Sequence, residues 1–381
     1  HYTIIPDETQ AEVIIVNTCS FIREATEESI DTILRVSQHK RNGHCRRLIV
    51  CGCFPQRYGP QLLEELPEVD LFIGTGQFHL IDSLIESAPR KLYMDDHPSF
   101  LYDHLTPRLI STPRHTAYVK IAEGCSRACS FCTVPKLRGK YRSREPASVI
   151  EEVTQLARAG VKEVVLLSQD TTSYGKDLRN GISLETLLRD MAKIDGIEWI
   201  RLLYLYPDPQ QFTAGLIEVI TREERICKYI DLPIQHIDDG ILKAMRRGVT
   251  ESQLRQLITT LRSKIPGLTL RTSLIVGFPG ETEAHFRHLV KFIEEIQFDR
   301  MGVFRYSPEE RTTAVSFENH VSEGVKEARY REIMELQANI SLRKNLGLIG
   351  TIQRVLVEGH CPETPYLLRG RMASQAPDID G

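Results

Sequence analysis

The stretch AYVKIAEGCSRACSFC, residues 117–132, joins a strand-like run to three closely spaced cysteines. Its strand candidate, 117–121, opens a pattern that recurs at 163–168 (EVVLLS), 199–204 (WIRLLY), 229–232 (YIDL), 270–276 (LRTSLIV) and 300–304 (RMGVF). Helical periodicity fills the gaps. Residues 146–159 start with Pro146, place Val149, Ile150, Val153 and Leu156 on one stripe, and stop before Gly160. Residues 282–296 have Thr282 as cap, with Phe286, Leu289, Val290, Ile293 and Ile296 turned inward. Six β/α units in succession predict an α/β fold with a closed or nearly closed parallel barrel. Functional groups then belong at the C-terminal ends of its strands.

Outward from the barrel, the N-terminal 1–95 reads as a small α/β domain. Its strands are 11–16 (AEVIIV), 48–50 and 69–73, and a helix falls at 21–36. Residues 96–115 contain Pro98, Pro107 and Pro113 and read as a linker. The barrel region then runs over 116–346 and ends in a long charged helix, 323–346. After Gly350 the strand-like TIQRVLVEG begins a further segment over 347–381, of about thirty residues, too short for a core of its own.

The chain has 381 residues, room for about two and a half domains. Its 51 acids and 48 bases leave a formal charge of −3, so global charge points to neither a nucleic-acid nor a membrane partner. A hydrophobic share of 41% with 26% charged residues is globular, and excludes collagen, coiled coil and disordered tails. No apolar run approaches the ~18 residues that span a bilayer. The first ten residues, HYTIIPDETQ, are polar, which is not a secretory leader. They read like the inside of a domain, so further sequence is expected upstream, and the expected location is cytoplasmic.

Nine cysteines, at 19, 45, 51, 53, 125, 129, 132, 227 and 361, are too few and too uneven for a disulfide scaffold. Cys125, Cys129 and Cys132 lie within eight residues. Thiolates select zinc or iron–sulfur clusters. A structural zinc takes four protein ligands, commonly as two pairs. Here only three cysteines stand together, and His115 lies before the strand. Three thiolates on a four-iron cluster leave one iron open to a small molecule, as an enzyme site requires. A zinc-stabilised ribosome- or RNA-binding factor is the competing class.

Cys125-x3-Cys129-x-Phe131-Cys132 after the first strand of a β/α barrel resembles the signature of the radical S-adenosylmethionine (SAM) superfamily. The chain as a whole resembles its methylthiotransferase branch. The matching stretches are Val16–Phe21, Gly52-Cys53, Glu123–Cys125, Arg142–Arg144, Val276–Glu281 and Phe304–Ser307. The resemblance implies a [4Fe-4S] cluster on Cys125, Cys129 and Cys132 whose open iron chelates SAM. One electron, from an external one-electron reductant, then yields a 5′-deoxyadenosyl radical that takes a hydrogen from the substrate. The cofactor supplies this chemistry, and the protein supplies position and a dry cavity. Phe131 is suited to pack on the adenine, or alternatively under the loop. Gln169 ends the second strand and is placed to hydrogen-bond the methionine part of SAM. Gly277, Pro279 and Gly280 end the fifth, either approaching the ligand or forming a tight turn.

The family also implies a second [4Fe-4S] cluster that carries the sulfur. Cys19 and Cys53 match two of its ligands, each following a strand, and the third lies upstream of Cys19, outside this sequence. Cys51 reads as a buried thiol rather than a ligand. Cys45, Cys227 and Cys361 are isolated, and buried or incidental thiols are the default for them.

Two substrates compete within the branch: an adenosine of transfer RNA, or the β-carbon of an aspartate in small-subunit ribosomal protein twelve (uS12). Ser168–Thr172 with Tyr174-Gly175, Leu203–Pro207 and Asp231–Asp238 resemble the ribosomal-protein enzymes. The implied partner is then uS12 or the small ribosomal subunit. Lys136, Arg138, Lys140, Arg142 and Arg144 form a basic run that could meet RNA or an acidic surface, or remain a solvated loop. Residues 350–381, with Gly370-Arg371-x-Ala373 and Ala376-Pro377-x-Ile379-Asp380-Gly381, resemble the start of a TRAM-type β-barrel that would contact substrate protein or RNA. One departure is Arg311, where the family usually has glycine.

Overall fold

Two parallel sheets arise from the apolar runs, each in its own part of the chain. The computed structural model describes residues 2–86, 91–179 and 181–380. By internal contacts the first unit gathers His1–Leu101, Gly124–Lys140 and Ser307–Val315, and the second Tyr102–Glu123, Tyr141–Tyr306 and Ser316–Gly381.

In the first unit, β1 (Val13–Thr18), β2 (Arg47–Gly52), β3 (Leu71–Ile73) and β4 (Lys91–Tyr93) lie in that order, all parallel. Ile14, Val16, Leu48, Val50 and Phe72 pack on one face with Ile33 and Val36 of the helix Arg23–Ser37. Ile49, Cys51, Leu71 and Ile73 pack on the other with Leu84 and Ile85. Burial on both faces explains why the central strands read as unbroken apolar runs. β4, with only Lys91, Leu92 and Tyr93, lacks such a run and was not foreseen.

Two distant segments complete this unit. Arg57 Nη1 lies 2.7 Å from Glu309 Oε2, both side chains nearly buried, and donates at 2.7 Å to Ser20 O. Glu309 Oε1 accepts the backbone N–H of Arg23 at 2.8 Å. Ala314 N donates to Ser130 O at 2.8 Å, joining 307–315 to the cysteine loop. Arg311 sits in the left-handed region at φ +65°, so the turn that suits glycine is kept and an arginine is strained into it.

In the second unit, β5 (Thr116–Lys120) is followed by two-residue strands β6 (Ala122–Glu123) and β7 (Arg142–Ser143), which pair antiparallel. Then come β8 (Glu163–Leu167), β9 (Trp199–Leu202), β10 (Ile226–Asp231), β11 (Thr269–Val276) and β12 (Arg300–Arg305). The six long strands run in the order β12-β11-β10-β9-β8-β5, all parallel, the expected partial barrel. Helices Pro146–Arg158 and Glu283–Ile296 follow the sequence periodicity within a residue, and Glu323–Leu346 has the bounds read for the long charged helix. Thr282 caps the second of these, accepting from His285 N at 3.4 Å and donating its own N–H to His285 Nδ1.

The C-terminal segment forms a hairpin, β13 (Val355–Cys361) with β14 (Thr364–Met372). The residues beyond it fold back on the sheet. Glu163, fully buried on β8, accepts from Arg201 Nε at 2.7 Å and from Arg371 Nη1 at 3.3 Å. Arg201 Nη1 donates to Ala373 O at 2.8 Å, and Tyr229 OH donates to Asp380 Oδ2 at 2.6 Å. Ala376 is buried among Trp199, Cys227 and Tyr229.

Removing the shared carboxylate would leave the buried Arg201 guanidinium without its carboxylate partner and Arg371 with Glu358 alone. Glu163→Ala is therefore expected to cost about 3–5 kcal/mol. The cost should appear as a lower urea midpoint, with new protease cleavage after β14.

Candidate active site

The three-cysteine loop belongs to the first unit, while its flanking strands β6 and β7 belong to the second. The loop is closed at its neck, where Cys125 N donates to Gly139 O at 3.1 Å. Gly124 enters it at φ +79°, and a Cβ there would stand 2.3 Å from Lys140 O, so only glycine fits. Cys125 is buried and its sulfur accepts the backbone N–H of Arg127 at 3.4 Å. Cys129 and Cys132 are half-buried and share a turn, Cys132 N to Cys129 O at 3.2 Å. Phe131 lies half-buried on the same loop. Among the described residues no three Cys, His, Asp or Glu side chains are gathered round one point so as to hold a metal ion. The donor set nonetheless suits a cluster chemically: three soft thiols on one short loop, one already receiving an amide hydrogen bond.

The two N-terminal cysteines are placed by strand register. Thr18 pairs with Gly52 in parallel β1 and β2, so Cys19 and Cys53 leave the sheet side by side at the C-terminal end of its strands. Gly52 has φ +106°, and a Cβ on it would lie 2.6 Å from Thr18 O, which shows how closely the two ends approach. Cys19 is exposed, and Cys53 is buried at the start of the helix Cys53–Tyr58. Arg138 Nη2 stands 3.6 Å from Cys53 Sγ. Cys51 faces the apolar layer with Ile49 and Ile73, and burial pushes its thiol up to about 12. Burial likewise raises the thiols of Cys45, and of Cys227 to about 11, so both stay protonated and unreactive at neutral pH. Cys361 is half-buried on β13.

The basic run is not one surface. Lys136 is exposed and donates to Arg311 O, Lys140 is exposed, and Arg138 is turned toward Cys53. Burial lowers the affinity of the half-buried Arg142 for its proton. Arg144 corrects the sequence reading: it is buried, paired with Glu152 and donating at 2.7 Å to Lys120 O. Its backbone N–H binds Ile121 O, which draws the side chain inward. An arginine so enclosed meets no RNA.

At the C-terminal strand ends of the second unit, polar groups are left waiting. Gln169, two residues past β8, has its Oε1 buried without a hydrogen-bond partner among the described residues. Gln235, past β10, has the same orphaned oxygen and a left-handed backbone at φ +74°. Tyr204, past β9, is also left-handed at φ +59°, and its N–H binds Asp231 Oδ2 at 2.9 Å. Such strain persists only where surroundings enforce it, and it clusters at functional sites. Gln235 was missed from sequence, although it ends its strand as Gln169 does.

The turn after β11 has packing reasons of its own. Gly277 is at φ +73°, and a Cβ would sit 2.2 Å from Lys326 Cγ. Lys326 is held there by its Nζ bond to Tyr306 O at 2.9 Å. Glu281 accepts the N–H groups of Gly277 at 2.7 Å and Phe278 at 3.2 Å, and Arg329 Nη1 at 2.9 Å. Burial pushes its carboxyl above the usual range, against the pull of Arg329. His236 Nδ1 accepts from Asp238 N at 3.0 Å, and burial drives its pKa down to about 3, which keeps the ring neutral. Pro279 is buried, whereas Gly280, at φ +85°, has open space where a Cβ would be.

Residues 119–293 match the Radical SAM superfamily, and residues 1–74 match the Uncharacterized protein family UPF0004. The chain is 55% identical, over its whole length and 85% of the relative's, to the ribosomal protein uS12 methylthiotransferase RimO of Geobacter sulfurreducens. It is 51% identical over the same shares to the protein of that name from Geotalea uraniireducens. Among solved structures it resembles a radical SAM methyltransferase, TsrM, of Kitasatospora setae. That match has a TM-score of 0.59 at 16% identity, over 80% of this chain and 66% of the other, a likeness of fold.

The two glycines of the β11 turn separate packing from backbone strain. Gly280→Ala should cost about 1–2 kcal/mol, the strain of a left-handed alanine. Gly277→Ala carries that strain plus overpacking against Lys326, about 1–3 kcal/mol more. Equal urea midpoints for the two variants would refute the packing assignment.

Proposed function

The chain belongs to the ribosomal protein uS12 methylthiotransferase family within the radical SAM superfamily, and from this we propose that it adds a methylthio group to the β-carbon of an aspartate of uS12. The observation carrying this reading is the three-cysteine loop after the first barrel strand, in a chain that aligns with those relatives from end to end.

Cys125, Cys129 and Cys132 would hold a [4Fe-4S] cluster whose fourth iron stays open for SAM. With both bound and one electron supplied by an external reductant, the pair provides a 5′-deoxyadenosyl radical that removes a substrate hydrogen. The protein's own residues do the rest. Gln169 Oε1, buried and lacking a donor, suits the ammonium of the methionine moiety, since an unmet buried acceptor carries a desolvation penalty that a ligand donor relieves. Gln235 Oε1 offers a second such acceptor. Phe131 would cover the adenine and exclude water. Gly277, Pro279 and Gly280, steadied by Glu281, would shape the backbone wall beyond β11.

Cys19 and Cys53, exposed and buried at one end of the sheet, would supply two ligands of a second cluster that carries the sulfur. The exposed Lys136 and Lys140, with the exposed Tyr366, Leu367 and Leu368 of the hairpin, would meet the ribosomal partner, whether uS12 alone or the small subunit with its RNA. No described helix is long and apolar enough to cross a membrane. We place the activity in the cytoplasm, where its ribosomal substrate resides. The relatives named above support uS12 over a transfer-RNA adenosine.

Anaerobically purified protein is expected to be brown, and Cys129→Ala to lose about four irons, the content of one cubane. The same variant should abolish the methylthio mass increment on the uS12 aspartate in tryptic peptides. A colourless protein with one zinc, or an increment found on transfer-RNA adenosine instead, would overturn the reading.

A further inference from the structure

The segment 134–138, a short helix directly after Cys132, is fastened on three sides within the first unit. Its buried Leu137 offers its carbonyl to Thr75 Oγ1 at 2.5 Å. Lys136 Nζ binds Arg311 O. Gly139, at φ +74°, ends the helix and accepts from Cys125 N, closing the cysteine loop. One residue before that closure, Arg138 extends its guanidinium to within 3.6 Å of Cys53 Sγ. Six residues of chain thus run from Cys132, in one thiol set, to an arginine touching a thiol of the other.

A guanidinium keeps its charge at every accessible pH and offers five N–H donors. Hydrogen bonds to ligand sulfurs, and the charge around them, set the potential of an iron–sulfur group, and partners of this kind orient the ligand itself. We propose that Arg138 is a positioning and charge-setting residue for an iron–sulfur group held at Cys53, and that it ties this group mechanically to the three-cysteine loop. The inference rests on reading Cys19 and Cys53 as cluster ligands. A cation beside a ligand sulfur favours the more negative, reduced state. Arg138 therefore raises the potential of the Cys53 group and eases its reduction.

The test uses the protein with its native sequence upstream of this chain included and carrying Cys125→Ala, Cys129→Ala and Cys132→Ala, so that only the second site can hold iron. This parent, Arg138→Gln and Arg138→Lys are reconstituted anaerobically with iron and sulfide. Iron content, thermal unfolding and an EPR-monitored redox titration are then recorded. The expected result is a midpoint shifted to more negative potential in Arg138→Gln, or iron lost from that variant. Arg138→Lys, which keeps the charge, should stay near the parent. An unchanged potential in a fully loaded Arg138→Gln overturns the inference. So do equal losses of iron and of unfolding temperature in both variants, which would mark Arg138 as a packing residue. A parent that takes up no iron overturns the second-cluster reading itself, and the inference with it, an outcome distinct from an unaltered potential.

Discussion

A parallel strand covered on both faces can present chemistry only where it ends, because everywhere else its side chains are committed to the core. Both sheets of this chain obey that constraint. In the first, Ile14, Val16, Leu48 and Val50 fill one layer and Ile49 and Cys51 the other, and Cys19 and Cys53 lie just past the last paired residues. In the second, Gln169 and Gln235 occupy the matching places past β8 and β10. The thiol at position 51 shows the converse: two residues earlier than Cys53 and within the strand, it is an apolar filler with a suppressed tendency to ionise.

This constraint also explains what could be read from sequence. The six barrel strands and the helix Glu283–Ile296 with its Thr282 cap were legible because each carries its own periodicity or capping signal, and the long helix Glu323–Leu346 was legible as a long charged stretch. The strand-end positions of Cys19 and Cys53 were legible because each closely follows an apolar run. β4 was not, since Lys91–Tyr93 at a sheet edge needs no apolar run. The enclosure of Arg144 was not either. Its partner Glu152 lies on the following helix, and a row of alternating basic residues looks the same whether solvated or paired. Gln235 escaped notice because neither its strain nor its orphaned oxygen exists until neighbouring strands are assembled.

The division of the chain into units was the least legible feature. Residues 124–140 and 307–315 are inserted in the barrel sequence yet pack with the N-terminal sheet's unit. What holds them is discontinuous: the buried Arg57–Glu309 pair, the Ala314–Ser130 backbone bond and the Thr75–Leu137 bond. A buried ion pair of this kind confers little net stability over an apolar pair, but losing one partner is costly, so it specifies which segments belong together. All five cysteines read as ligands thereby fall within one unit.

Glu163 has a consequence for biosynthesis. Its carboxylate is emplaced early in the barrel, yet one of the two guanidinium groups that neutralise it comes from Arg371, more than two hundred positions later. While the chain emerges from the ribosome, Arg201 can already balance this carboxylate, but its second guanidinium contact, and the pairing of Arg371 with Glu358, form only when the segment beyond β13 arrives. The sheet's final consolidation is thus deferred until the segment that carries Arg371 has been made.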